Sequence, residues 1–373
     1  MNRVHGLDAL RGLAILAMMV ANLQAILVPL PHPMALRVVG SVAAPLFIVI
    51  SGFMVSLTAT EHSFGHVLRR GAWLVGVGVF VDLMVWGIYP GMSLEVLYLI
   101  GLAVPLVYLA TKLPSWGLWG ATALVLLAPP LIQAKLGYSP FPIEFYLSGG
   151  RVFPESGQTS LLTHWLGDGW FPVFPWVGFA LFGAGLGRVW KPGGLTALKP
   201  WLVWGGLGLA AGGMASYFVF PPQTFIRGSW SEMFYPPTIQ YEAAALGAVS
   251  LLLLLFLGMG QGLFRVPSRA LAVLGRASLD LYFGHLFLGY QVLTRGGQGW
   301  GTMTWLQYAV SYAGIALVLG VVAWGYEALG RSKKRVLGRG LRGVVAGTII
   351  VFISSVLLGR YPLPGEFPIW PRL

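Results

Sequence analysis

The sequence predicts an all-α fold: a polytopic membrane bundle of about eleven transmembrane helices, N-terminus cytoplasmic and C-terminus outside. Three observations predict it. Apolar residues make up 56% of the 373 and charged residues only 10%, with a mean hydropathy of +0.75. An ordinary soluble domain carries about 25% charged residues, so a soluble, disordered or coiled-coil chain is excluded. Runs of roughly 20 apolar residues recur from end to end. Basic residues alternate between the loops in the sense of the positive-inside rule.

The expected spans are 7–29, 38–58, 71–89, 93–111, 114–133, 170–189, 200–220, 240–263, 270–294, 303–329 and 343–359. The first is too long for a signal peptide and lacks a small-residue cleavage site. Pro45, Pro105 and Pro175 fall inside or at the edges of spans, where a missing N–H kinks a helix. Pro221, Pro222, Pro236 and Pro237 punctuate the link between the seventh and eighth spans. With the N-terminus inside, seventeen of the 24 basic residues are cytoplasmic, and the run Arg331–Arg342 is the densest group. The longest loop, about 134–169, is external and long enough to roof a pocket. No linker or repeat divides the chain, so residues 1–373 read as one membrane unit. The net charge of +12 is read as topology rather than nucleic-acid binding.

Ionisable and amide side chains at membrane depth are expensive and mark candidate sites. Asp8 and Arg11 are i,i+3 neighbours at the mouth of the first helix and can neutralise each other. Asn22 follows Arg11 by three turns, so both share a face roughly 16 Å apart. His32 lies just outside, fixed between Pro31 and Pro33; it reads as a surface residue or as a rim-mounted base. Asp82, Glu95 and Glu242 lie in the outer half of other spans. The ninth span carries Asp280, Tyr282 and His285, with Arg276 one turn below Asp280 and able to neutralise it. Trp165, Trp170, Trp176 and Trp230 are expected as an interfacial belt. His62 and His66 lack a third ligand, and no metal is expected. Arg69 and Arg70 are either topology anchors or phosphate ligands. The chain has no Cys, which excludes disulfides and thiol nucleophiles. It also has no P-loop, HExxH or GxSxG motif.

The segment LDALRGLAILAMMVAN, Leu7–Asn22, resembles the opening of the heparan-alpha-glucosaminide N-acetyltransferase-like transmembrane acyltransferases. Asp8, Arg11-Gly12 and Asn22 stand at the family's spacing, and His32 follows Asn22 by ten residues where the family has a catalytic His. PLFIVISGF (Pro45–Phe53) and FPWVGFALFGAGLGR (Phe174–Arg188) are similar to later helices of that family. Ser41 stands where close members carry Asp, which leaves the acceptor unassigned. The acyltransferase-3 family is a related alternative: it shares the LDxLRG opening, and its C-terminal Ser-Leu…Tyr…His pattern resembles SLDLYFGH, Ser278–His285.

The resemblance implies an acyl-CoA donor, acetyl-CoA foremost, taken from the cytoplasm, and a sugar-like amine or hydroxyl acceptor on the outer side. The expected partners are therefore acyl-CoA, a glycan-like acceptor and the bilayer, with no nucleic acid and with a homo-oligomer left open. His32 is the candidate base and Asn22 the candidate oxyanion donor, with Asp8, Asp280 and His285 in support. Arg11, Arg69 and Arg70 are candidates for the anionic end of CoA. The competing reading is a transporter or flippase for a glycan or lipid precursor, with Asp82, Asp280 and Glu242 as coupling groups.

Overall fold

The computed structural model describes residues 4–139, 144–149, 151–152, 160–258, 265–329 and 331–361. Parts of the external loop, the end of the 240–263 span, Arg3 and Arg372 lie outside the described residues. In chain order the helices are α1 His5–Leu27, α2 Met34–Thr58, α3 Phe64–Val81, α4 Val96–Ala110, α5 Ser115–Leu127, α6 Pro129–Leu136 and α7 Leu161–Thr163. They continue with α8 Val173–Pro200, α9 Gly206–Val219, α10 Ile239–Gly258, α11 Arg265–Arg276, α12 Ser278–Leu286, α13 Trp305–Ala328 and α14 Arg331–Leu357. π-helical turns occupy Asp82–Trp86, His164–Asp168, Trp201–Gly205 and Phe287–Gln298. A two-residue antiparallel pair, β1 Glu144–Phe145 and β2 Arg151–Val152, completes the described secondary structure. The fold is all-α apart from that ribbon, and the chain is a multi-pass membrane protein.

Helix covers most of every expected span, but not as uniform rods. Six helical runs are long and apolar enough to cross a bilayer, or up to eight if each bent pair is one span. The bent pairs are α5 with α6, at 44°, and Ser268–Arg276 with Ser278–Gly297, at 78°. The run Val173–Val219 covers 47 residues. At helical rise that is about 70 Å against a hydrocarbon core of about 30 Å. Gly194, at φ 57°, turns the backbone left-handed within it. The expected span 71–89 passes into the π turn at Asp82 and stops at Gly87, φ 67°. α4 has only 15 residues.

The chain divides into two compact units: Met1–Thr58 with Gly183–Ala328, and Ala59–Phe182 with Leu329–Leu373. In the first, α1 is the centre and touches α2, α10, α11, α12 and α13. Its small residues allow this. A Cβ on Gly12 would meet the backbone carbonyl of Leu271, and one on Gly275 would meet the carbonyl of Asp8. The Arg-Gly of the opening motif is therefore a backbone-to-backbone crossing of α1 and α11. Gly183 and Gly187 do the same for α8 against Val49 and Phe53 of α2. Tyr308 and Tyr312 of α13 donate their hydroxyls to the α1 carbonyls of Val20 and Leu16, at 3.4 and 3.1 Å.

In the second unit, α3 crosses α4 at Gly71 and Gly101. Asp82 is fully buried and accepts three hydrogen bonds: Ser93 Oγ at 2.7 Å, Tyr98 Oη at 2.6 Å and the Gly91 N–H at 3.0 Å. It fastens the loop after the π turn. The described parts of the 134–169 loop seat on this same segment. His164 bonds the Met92 carbonyl at 2.6 Å and Asp168 at 3.1 Å, and Trp165 donates to the Gly91 carbonyl at 3.0 Å. Trp176, expected in the interfacial belt, is instead a core residue packed between Phe171 and Phe179.

Candidate functional site

Asn22 lies in the last two turns of α1, where the helix is walled by α12. Its Nδ2 lies 3.0 Å from Nε2 of His285, whose Nδ1 lies 3.0 Å from the Leu281 carbonyl. A carbonyl only accepts, so Nδ1 of His285 carries the proton. In the neutral ring Nε2 then accepts, and the Asn22 amide is oriented with Nδ2–H toward it. One amide proton of Nδ2 is used in this way and the second is left to another acceptor. His285 is completely buried, with the Tyr282 ring edge-on at 5.7 Å. The structure thus brings together two of the residues singled out in the sequence, 263 positions apart.

His32 is not a surface residue: it is only 6% exposed. Val28–Pro33 turns the chain between α1 and α2 and folds the ring back onto the end of α1. Nε2 lies 3.2 Å from the Val28 carbonyl, and Nδ1 lies 2.7 Å from Ser231 Oγ. The edge of Trp305 closes one side, ring centroids 6.2 Å apart. By the same logic Nε2 carries the proton, so the basic lone pair is on Nδ1 and receives the Ser231 hydroxyl proton. Burial, with the nearby Arg37 charge, lowers the His32 pKa below its ordinary value against the opposing pull of the Val28 carbonyl. Asn22 and His32 share no hydrogen bond with each other.

Ser231 belongs to the 220–238 segment, which is pegged to α2. Arg37 Nε donates to the Ser231 carbonyl at 2.7 Å. The Met233 N–H donates to Ser41 Oγ at 2.7 Å, and Tyr241 Oη donates to the Ser41 carbonyl at 2.6 Å. Ser41, the departure from the family pattern, is therefore the anchor of this segment. Beside it, Glu232 is buried, and its carboxyl has no hydrogen-bond partner from another residue among the described residues. Burial pushes its pKa up to about 7. Gln24, two residues beyond Asn22, is likewise buried, with neither amide atom bonded among the described residues.

The remaining candidates are placed differently. Asp8 and Arg11 pair at 3.1 Å, as their spacing suggests. Asp280 is exposed, and Arg276 bonds Glu327 at 3.1 Å instead of neutralising it. One turn separates the two on the sequence, but the 78° bend at Ala277 points them apart. Arg69 and Arg70 are exposed on α3, in the other unit. His62 and His66 stack on each other, centroids 4.2 Å apart. Among the described residues no three His, Asp or Glu side chains gather as a metal site.

Ser231, Glu232 and Gln24 were not singled out in the sequence. Gln24 carries a signal, an amide in an apolar helix, whereas Ser231 carries none: only the fold brings it to His32.

A family model described as heparan-alpha-glucosaminide N-acetyltransferase, catalytic, matches residues 3–204, more than half of the chain. The chain belongs to this family. It is accordingly a member of a membrane acetyltransferase family, as its opening motif suggests. No curated protein matches the chain. The heparan-alpha-glucosaminide N-acetyltransferase match includes Asp8, Arg11, Asn22 and His32, and stops short of Ser231 and His285.

Proposed function

We propose that this protein moves an acetyl group from cytoplasmic acetyl-CoA to an amine or hydroxyl of a sugar-like acceptor on the outer side of the membrane. The observation that carries the reading is the Asn22–His285 pair. A membrane-depth amide held in one orientation leaves a fixed N–H donor, which is what a developing thioester oxyanion needs. His32, neutral and with its lone pair at Nδ1, takes the proton of the attacking group. His285 acts through Asn22 as a positioning residue. Arg11 lies at the cytoplasmic mouth of α1, and its guanidinium is a charge suited to the phosphates of CoA. The reading carries with it eleven crossings, an N-terminus inside and a C-terminus outside.

Against the transporter reading stands one of its three coupling groups. Asp82 is saturated by three donors and holds a loop.

The test is thiol release from acetyl-CoA by the purified protein in detergent, with glucosamine as the probe acceptor. The chain itself has no Cys to interfere. His32→Ala and Asn22→Ala are each expected to lower kcat by about 10²–10⁴. Wild type and both variants should still gain thermal stability from CoA, on the order of 2–3 kcal/mol at 100 times Kd. A folded His32→Ala protein working at the wild-type rate would remove the assignment.

A further inference from the structure

The imidazole of His32 has one basic lone pair, and the fold aims it at another protein group. Nε2 faces the Val28 carbonyl at 3.2 Å and must carry hydrogen there; Nδ1 faces Ser231 Oγ at 2.7 Å. Turning the ring to free Nδ1 would break both bonds and move it off the Trp305 edge. Moving Ser231 away is no easier, because its carbonyl is held by Arg37 and the segment is pegged two residues later at Ser41. Ser231 is 1% exposed, so its hydroxyl and the ring meet away from bulk solvent. A base held by a third group on one side and facing a hydroxyl on the other is the geometry of acid–base pairs in acyl-transfer enzymes.

We propose that Ser231 is the proton relay of the reaction: His32 exchanges its proton with the reacting groups through Ser231 Oγ. This rests on the reading of His32 as the base. As the acceptor nitrogen or oxygen attacks the thioester carbonyl, its proton passes to Ser231 Oγ while the serine's own proton passes to Nδ1. The imidazolium keeps Nε2–H on the Val28 carbonyl throughout. When the carbon–sulfur bond breaks, the proton returns from Nδ1 to Ser231 Oγ, and the serine proton goes to the CoA sulfur. The products are the acetylated acceptor and free CoA thiol, and no net proton stays on the enzyme. Ser231 lies outside the segment matched by the family model, so the relay joins the matched half of the chain to the unmatched half.

The same thiol-release assay on the full-length protein tests this with Ser231→Ala and Ser231→Thr. Ser231→Ala is expected to lower kcat about 10²-fold with the KM for acetyl-CoA unchanged. Ser231→Thr, which keeps the hydroxyl, is expected to stay within about tenfold of wild type. A proton inventory in mixed light and heavy water adds a readout that a merely structural bond would not move. Two protons in flight bend the wild-type plot, and the plot for Ser231→Ala should be straight. Ser231→Ala at the wild-type rate, or a straight wild-type inventory, would overturn the relay. So would an acetyl group recovered on Ser231 after incubation with acetyl-CoA alone, which would make it a nucleophile instead. If Ser231→Ala is active and His32→Ala is not, only the relay fails. If His32→Ala is active, the underlying assignment fails with it. Should the alanine variant not fold, the threonine variant and the wild-type inventory still decide.

Discussion

At His32, titration is set by what surrounds the ring. Burial outweighs the Val28 carbonyl, and the Arg37 charge adds to it, so the pKa lies below 6.5. Protonation destroys a base, so activity is lost as pH falls through the folded value. The acid limb of kcat/KM is therefore expected below pH 6.5, and a pH–rate profile on the purified protein checks it. An acid limb at or above 6.5 would place the titrating base elsewhere. Glu232 behaves in the opposite sense. Its raised pKa keeps the carboxyl protonated up to about 7, so folding loses stability as pH rises from 4.5 through that value. At this scale the sequence was informative only where a local rule applied. Asn22 stands out because a polar group is costly in an apolar run, His32 because two prolines hold it at the rim, and both because their spacing matches a known opening. Their partners lie 263 and 199 residues away, and proximity over such separations is a product of packing that no local pattern encodes.

Between elements, the decisive feature is how closely helices approach. α1 and α11 meet with Gly12 and Gly275 facing carbonyls, so neither position has room for a methyl group. Gly275→Val is expected to destabilise the protein by more than about 3 kcal/mol, because backbone rather than a flexible side chain must yield. The measurement is the thermal unfolding of the purified protein; Gly314→Val, at a position with open space around it, serves as the control and should be nearly neutral. Hydropathy located the helices because burial in lipid writes itself as apolar runs. It could not locate their ends or bends. The breaks at Asp82–Gly87, Ala128–Pro129 and Ala277 come from π turns, prolines and a packing bend, all inside runs that remain apolar. Asp280 shows the cost: its expected pairing with Arg276 assumed a straight helix that the chain does not form.

For the molecule as a whole, topology is the property most directly open to test. In the proposed topology the Arg331–Arg342 run lies inside and Lys135 outside. Because the chain is Cys-free, single cysteines can report sidedness without background. Lys333→Cys is expected to react only with a membrane-permeant maleimide, and Lys135→Cys with an impermeant one added to intact cells. The reverse pattern would invert the proposed route of the donor. Compositional arithmetic identified the membrane class because a charge content of 10% leaves no other solvent for the surface. It did not foresee the division into two units, each assembled from separated stretches of chain.

That interleaving bears on how little of the protein a minimal catalyst could contain. A fragment ending at residue 204 would keep the amide and the imidazole yet lack Ser231 and His285, the two groups that orient them. If the proposed roles of these residues hold, catalytic competence would then arise only once the ribosome has delivered α12. A cell would be shielded from premature acetyl-CoA turnover by nascent chains still leaving the insertion machinery.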